Sequence, residues 1–471
     1  MIWNEKRTRM TVILLLGLGI FLRFYFYFGH VYSDDAYYNY LAYTFYKGNF
    51  GADYLGYPIC FVRMGQTWLT AFAFWLFGTT EAATTVFPMI FSVINMVLVY
   101  KITKVITKSE INSILVLLFT AFYPTEILFA SIAFTDLFST VFIHSGILLL
   151  FMADRDKKLL YSILAGVLFF ISVLFKINVF YTSILLSGLL IYQFKAKKKF
   201  NLYIFTSLSV LGAGMLSEGA VYYMINGDFF YRLTAMGTMS TFSAHDFINQ
   251  GDLPDIVENI KAVFLRRTMV FIPFLAVLQL ILHRKKRKNR LVVYWFSGLV
   301  VLYLFFTMTL TEYKPMPLRF TWYLFPLFLP SMMLASKLLS EMKKSWMFIC
   351  VFIYITAALY YTDHFRGYFN MNEISDFNNF LNDNEERVIY ADHFTKYSID
   401  LIDGYKEPLR TVRLSFKGEN SIAYGSFVVI HTGHTNELAM QGFIYPGESF
   451  FRNEEFEEIN RFGPFIIFEK K

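Results

Sequence analysis

The residues best suited to chemistry lie in two short stretches and at a few isolated charges. Tyr32-Ser33-Asp34-Asp35-Ala36-Tyr37-Tyr38 places two adjacent carboxylates just beyond the first apolar run. Neighbouring side chains on a helix do not share a face, so the pair should point apart, one toward a site and the other toward a loop or a cation. A positioned carboxylate at a membrane surface can orient and deprotonate an acceptor hydroxyl. The same pair also fits a solvated cap on a following helix, where acidic groups stabilise the first turn. Asp136 and Glu126 are ionisable groups at the edges of apolar runs, where they tend to face a polar cavity. Lys176, in Leu174-Phe175-Lys176-Ile177-Asn178, fits two readings: snorkelling to the outer surface or meeting a phosphate. Arg319 follows Pro315-Met316-Pro317-Leu318, a stretch stiffened by proline. Its guanidinium can grip phosphate bidentately or anchor the interface beside Trp322 and Tyr323. Arg63, Lys261, Arg266, Arg267 and Lys314 are the other cations expected on the same side.

Other candidates carry less. His431-Thr432-Gly433-His434 and His245-Asp246 are unspecific as metal sites, and Cys60 and Cys350 read as incidental. Arg23 and Glu218 sit inside apolar runs without an obvious partner in the sequence. There is no glycine-rich phosphate loop and no serine elbow.

The elements that must position these groups are membrane helices. The chain has 471 residues, 56% hydrophobic and 17% charged, which excludes disorder and a water-soluble globule. Continuous apolar runs, not alternating ones, select helices over a barrel. Eleven spans are expected, near 10–28, 84–100, 111–129, 134–152, 159–176, 178–194, 201–224, 268–282, 291–310, 321–340 and 346–361. With the N-terminus cytoplasmic, basic clusters such as Lys101/Lys104/Lys108, Lys195/Lys197/Lys198/Lys199 and Arg284-Lys285-Lys286-Arg287-Lys288/Arg290 all fall inside. The apolar stretch 61–77 would invert that pattern if it crossed, so it is expected to lie at the outer interface. The first run ends in Phe24-Tyr25-Phe26-Tyr27-Phe28 without a small-residue cleavage site, so it reads as a retained helix.

Charge divides the chain in two. Residues 1–362 are net +14 and residues 363–471 net −7. The positive excess belongs to cytoplasmic loops and not to nucleic-acid binding. The tail is rich in Asn, Asp and Glu, with strand-like runs at 387–390, 411–414, 426–431 and 465–468 and a helix near 373–382. The expectation is an all-α polytopic membrane protein with outer juxtamembrane helices, over 1–362, and a small extracytoplasmic α/β domain over 363–471.

The order and sidedness of these motifs resemble the GT-C glycosyltransferases. The nearest branch is that of the bacterial relatives of protein O-mannosyltransferases and of the lipid A aminoarabinose transferase, families 39 and 83. Ser33-Asp34-Asp35-Ala36-Tyr37-Tyr38 resembles the acidic first-loop motif. Gly56-Tyr57-Pro58 with Arg63 and Phe77-Gly78, Pro124 followed by Asp136, and Pro317-Leu318-Arg319-Phe320 through Tyr323 and Pro326 resemble later ones. The likeness covers about 1–362, and the tail matches in position only. Two positions depart: the family often has Asp-Glu at Asp34-Asp35, and Arg-Tyr at Arg319-Phe320.

The resemblance implies an integral bacterial plasma-membrane enzyme. It implies a polyprenyl-phosphate-linked sugar as donor, a hydroxyl acceptor on protein, lipid or glycan, and inversion at the anomeric carbon. Asp34 would act as base, Asp136 would orient a cation or the acceptor, and Asp35 would order the loop or bind a metal. Arg319, with Lys176 and Arg63, would hold the leaving phosphate. A divalent ion is left open. The alternatives are a transporter or flippase for lipid-linked sugars, which predicts polar or broken helices at mid-membrane, and a non-catalytic membrane scaffold.

Overall fold

The computed structural model describes residues 5–49, 62–235, 260–261, 263–264, 271–282, 290–305, 324–406, 408–414, 422–433, 446 and 448–471. In chain order the membrane part comprises α1 (Glu5–Tyr25), α2 (Asp34–Tyr46), α3 (Met64–Phe77), α4 (Glu81–Thr107), α5 (Glu110–Phe122), α6 (Pro124–Phe129) and α7 (Thr135–Asp156). It continues with α8 (Leu159–Phe175), α9 (Val179–Lys197), α10 (Leu202–Asn226), α11 (Ile272–Leu282), α12 (Arg290–Phe305), α13 (Phe325–Glu341) and α14 (Lys344–Tyr368). The protein is a polytopic helical membrane protein with a small C-terminal sheet.

Each of the eleven expected spans contains a helix, but their lengths differ. Among the described residues, five helices are long and apolar enough to cross a membrane. Within the stretch 61–77, Met64–Phe77 forms α3, whose 14 residues reach about 21 Å, short of a hydrocarbon core of roughly 30 Å.

The expected span 111–129 is not one helix. Pro124 cannot donate to the preceding turn and holds Tyr123 extended at φ −66°, ψ 117°. The chain stops at Phe122 and restarts as α6, all six residues of which are buried. This break lets the chain turn toward α7 and bring Asp136 into the first turn of that helix. The central core gathers apolar side chains from nearly every helix between α1 and α14.

The tail comprises α15 (Met371–Asp383), β1 (Ile389–Ala391), α16 (His393–Ile402), β2 (Thr411–Arg413), β3 (Phe427–His431), α17 (Glu448–Phe451), β4 (Phe456–Phe462) and β5 (Phe465–Lys470). The sheet order is β2-β1-β3-β5-β4. β1 runs parallel to both β2 and β3, and β5 runs antiparallel to β3 and β4. The four expected strand runs and the helix near 373–382 are present. β4, α16 and α17 were not anticipated. β4 is an edge strand whose Glu457, Glu458 and Arg461 mask the hydrophobic alternation and discourage edge pairing. α16 is opened by Asp392, which accepts from the Phe394 and Thr395 amides at 2.9 and 3.1 Å.

The tail sits directly on α2. Tyr390, Phe394 and Tyr397 pack with Ala36, Tyr37 and Tyr38. Tyr40 stacks on Tyr397 with ring centroids 3.8 Å apart, and Tyr43 on Tyr405 at 3.9 Å. Such stacked pairs contribute about 0.5–1.5 kcal/mol each beyond their burial.

Candidate active site

The loop that joins α1 to α2 is held by side chains from several elements. Phe28 N donates to Ser131 Oγ at 3.0 Å, and His30 N to Glu81 Oε1 at 3.0 Å. Val31 N and Ser33 N each donate to Asp35, at 2.7 Å. Two residues of the loop take left-handed backbone, Gly29 at φ +70° and Tyr32 at φ +56°. A Cβ at Gly29 would stand 2.2 Å from Glu81 Oε1, so glycine is required for the His30–Glu81 contact. Tyr32 has no such licence, and a left-handed tyrosine costs roughly 1–2 kcal/mol. The tail offsets that strain. Tyr32 Oη donates to Asn378 Oδ1 at 2.6 Å, and its ring packs edge-on against Phe377 and Phe465.

The two adjacent carboxylates point apart, as their spacing requires. Asp35 is 1% exposed. Besides the two loop amides it pairs with His30 Nδ1 at 2.8 Å. Burial disfavours its charge, but His30 and the two amides outweigh that and hold its carboxyl below the ordinary value. For His30 burial likewise works against the charge, and Asp35 wins, raising its pKa. Asp35 is thus the acceptor that orders the 30–33 loop. It is buried and is not a solvated cap.

Asp34 opens α2 and is exposed. Enough protein surrounds it that its charge is poorly hydrated, which pushes its carboxyl above the usual range. Arg63 and Lys176 pull the other way, while Asp35 and Asp136 reinforce the rise. These five groups therefore share one electrostatic neighbourhood. Arg63 is the residue preceding α3 and donates to the Tyr38 hydroxyl, one turn along α2 from Asp34. Lys176 follows the last residue of α8 and sits 2.5 Å from Asp136 Oδ1. Neither member of that pair snorkels: their side chains are 8% and 6% exposed. Gly65 brings the two cations together. A Cβ there would stand 2.7 Å from the Phe175 ring, beside Lys176, so α3 approaches α8 this closely only through glycine.

A second polar cluster lies below. Arg23 donates to Ser92 Oγ at 2.5 Å and stands 3.8 Å from Glu126 Oε1. Glu126 also accepts from Ser92 at 3.1 Å and from Asn95 at 3.1 Å, and Asn95 meets His144 Nδ1 at 2.7 Å. Arg23 thereby acquires, in Glu126, a partner that the sequence did not reveal. The cluster ties α1, α4 and α7 to the broken helix α5–α6, so the membrane interior is more polar here than its hydropathy suggests. Glu218 pairs with Arg232.

Arg319, Gly56-Tyr57-Pro58, Cys60, His245-Asp246, Arg266, Arg267, Lys314 and His434 lie outside the described residues. Among the described residues no group of three His, Cys, Asp or Glu side chains is arranged to hold a metal ion. Sequence reasoning missed His30, Glu81 and Tyr38, the partners of Asp35, of the loop and of Arg63. Only the Gly29-His30 pair, beside the carboxylates, offered any signal.

The chain shares its overall fold with solved membrane-protein structures. It is similar to ArnT, the lipid A aminoarabinose transferase, from Cupriavidus metallidurans in the apo state, with 13% identity, 97% of each chain covered and a TM-score of 0.58. It is also similar to the same protein bound to undecaprenyl phosphate, with 11% identity, 97% of each chain covered and a TM-score of 0.59. The apo oligosaccharyltransferase of Archaeoglobus fulgidus matches at 12% identity and a TM-score of 0.50, over 89% of this chain and 62% of that one. At these identities the likeness is one of fold. No family model matches the sequence, and no curated protein matches it.

Proposed function

We propose that this chain is a membrane glycosyltransferase. It moves a sugar from a polyprenyl-phosphate donor to a hydroxyl acceptor at the extracytoplasmic face of a bacterial plasma membrane. The observation that carries the reading is the contrast among the three carboxylates. Asp35 is buried and saturated, Asp136 is buried against Lys176, and Asp34 alone is open, with Arg63 and Lys176 close enough to act on its charge. The fold shared with a protein crystallised with undecaprenyl phosphate supports the donor class.

In this reading the acceptor oxygen attacks the anomeric carbon as the bond from that carbon to the phosphate oxygen breaks, with inversion. Asp34 accepts the hydroxyl proton, and the polyprenyl phosphate departs with the electron pair. A carboxyl held above its usual range is a stronger base than an ordinary one, which suits this role. Arg63 and Lys176 stabilise the charge on the leaving phosphate, and Asp136 holds the Lys176 ammonium in place. Arg319 joins them on the strength of its sequence context. Asp35 holds the loop that presents Asp34. The donor tail lies among the helices, and residues 363–471 form the outer domain that steadies α2.

The test is comparison of envelope glycans and lipids by mass spectrometry with and without the protein, followed by transfer from a labelled polyprenyl-phosphate sugar in purified membranes. Loss of one specific glycan modification, restored by the protein, supports the reading. An unchanged glycan and lipid profile, with no transfer in the membranes, overturns it.

A further inference from the structure

A second site lies at the far side of the membrane part. A cavity of about 620 Å³ opens between α7, α9, α10 and α12. Its polar rim includes Asp154, Gln193, Asn201 and Arg290, at the C-terminal ends of α7 and α9 and the N-terminal ends of α10 and α12. Asp136 opens α7 and Asp154 nearly closes it. Eighteen residues of helix separate them, about 27 Å, close to the full thickness of the hydrocarbon. The cavity mouth therefore faces the leaflet opposite Asp34, and it is distinct from the site described above.

Depth and lining define what fits. Along α9 the walls run from Thr182 to Gln193, eleven residues or about 16 Å. That matches one leaflet, roughly half of a 30 Å core. The interior is overwhelmingly apolar, with Leu185, Leu186, Leu189 and Trp295 among its walls. At the rim, Asp154 is engaged by Lys157 at 3.0 Å, and Asn201 accepts from the Ile204 amide at 3.1 Å. Arg290 is exposed and has no ion-pair partner among the described residues. Arg155, Lys158 and Lys199 belong to the same face.

We infer that this cavity is a binding site for an anionic glycerophospholipid of that leaflet. An acyl chain fills the apolar interior to mid-membrane, and the phosphate meets the Arg290 guanidinium at the rim. A chain one leaflet long fits the depth, whereas a polyprenyl tail would overrun it. The site is independent of the glycosyl-transfer reading.

The experiment uses the full chain purified in a non-ionic detergent, titrated with phosphatidylglycerol or phosphatidylcholine. Native mass spectrometry measures retained lipid, and thermal unfolding measures stabilisation. Wild type should retain phosphatidylglycerol severalfold better than phosphatidylcholine and unfold at a higher temperature with it. Leu186→Trp, which fills the cavity, should reduce retention of both lipids severalfold while the lipid-free unfolding temperature is unchanged or raised. Leu189→Phe serves if the tryptophan prevents folding. Arg290→Gln should abolish the preference for phosphatidylglycerol yet keep a lipid bound. Equal retention of the two lipids by wild type, undiminished retention by both cavity-filling variants, or a polyprenyl phosphate as the lipid held there would overturn the proposal.

Discussion

Lys176 Nζ stands 2.5 Å from Asp136 Oδ1, across forty residues of sequence and with both side chains nearly buried. The pair joins the end of α8 to the start of α7 and fixes a positive charge beside Asp34. Removing one partner strands the other charge in a water-poor site, which typically costs about 3–5 kcal/mol. Lys176→Met or Asp136→Asn alone should therefore lower the thermal unfolding temperature substantially. The double variant Lys176→Met with Asp136→Leu should recover most of that loss. Donor affinity should not recover with it, because the charge proposed to meet the phosphate is gone. Paired unfolding scans and donor KM values check this.

Protonation of the two neighbouring aspartates works in opposite directions. Asp34 is raised, so its proton is held more tightly in the folded protein than in the unfolded chain. Its contribution to stability is present at low pH and is lost as pH rises through the folded value. Asp34→Asn should therefore stabilise the protein at neutral pH. Asp35 is lowered, so its contribution is present above the unfolded value, about 3.9, and is lost as pH falls through the folded one. Asp35→Asn should destabilise at neutral pH. Unfolding temperatures of the two variants between pH 4 and 8 should diverge in these directions.

Catalysis should share the first of these titrations. A base works only when ionised, so kcat/KM should fall as pH drops through the Asp34 pKa, at a midpoint above that of an ordinary aspartate. A pH–rate profile in the purified membrane protein measures it, and a midpoint at or below about 3.9 would point to another group.

Tyr32 carries the strain of the loop, and its hydroxyl bond to Asn378 is the tail's most direct grip on that loop. Tyr32→Phe and Asn378→Ala should each cost about 1 kcal/mol of stability. Both should lower kcat more than they raise donor KM, since the loop presents Asp34 without itself binding the lipid. The double variant should be no worse than either single one, as expected for two ends of one bond. Steady-state kinetics on the three variants test this.

Gly65 makes a similar case for spacing. Gly65→Val would drive α3 away from Phe175 and so separate Arg63 from Lys176. Donor KM should rise severalfold while the tail domain stays folded, as judged by protease resistance.

The sequence makes the helical membrane part legible because apolar runs and basic clusters are long-range, redundant signals. The opposite orientation of Asp34 and Asp35 follows from adjacency alone. What remained hidden depends on tertiary contact. No local pattern couples Lys176 to Asp136, or Arg23 to Glu126, because each pair is made by separate helices meeting. The break at Pro124 was visible as a residue but not as a bend, since the apolar run continues through it. β4 escaped because an edge strand replaces hydrophobic alternation with charge. Asp35's role in the loop needed the positions of the amides it accepts from.

The most direct test of the account is turnover of a labelled polyprenyl-phosphate sugar by Asp34→Asn in membranes where the variant is inserted and folded like wild type. Loss of the proton acceptor should reduce kcat by about 10²–10⁴-fold, with donor binding maintained by Arg63 and Lys176. Turnover at the wild-type rate would contradict the assignment of Asp34 as the base.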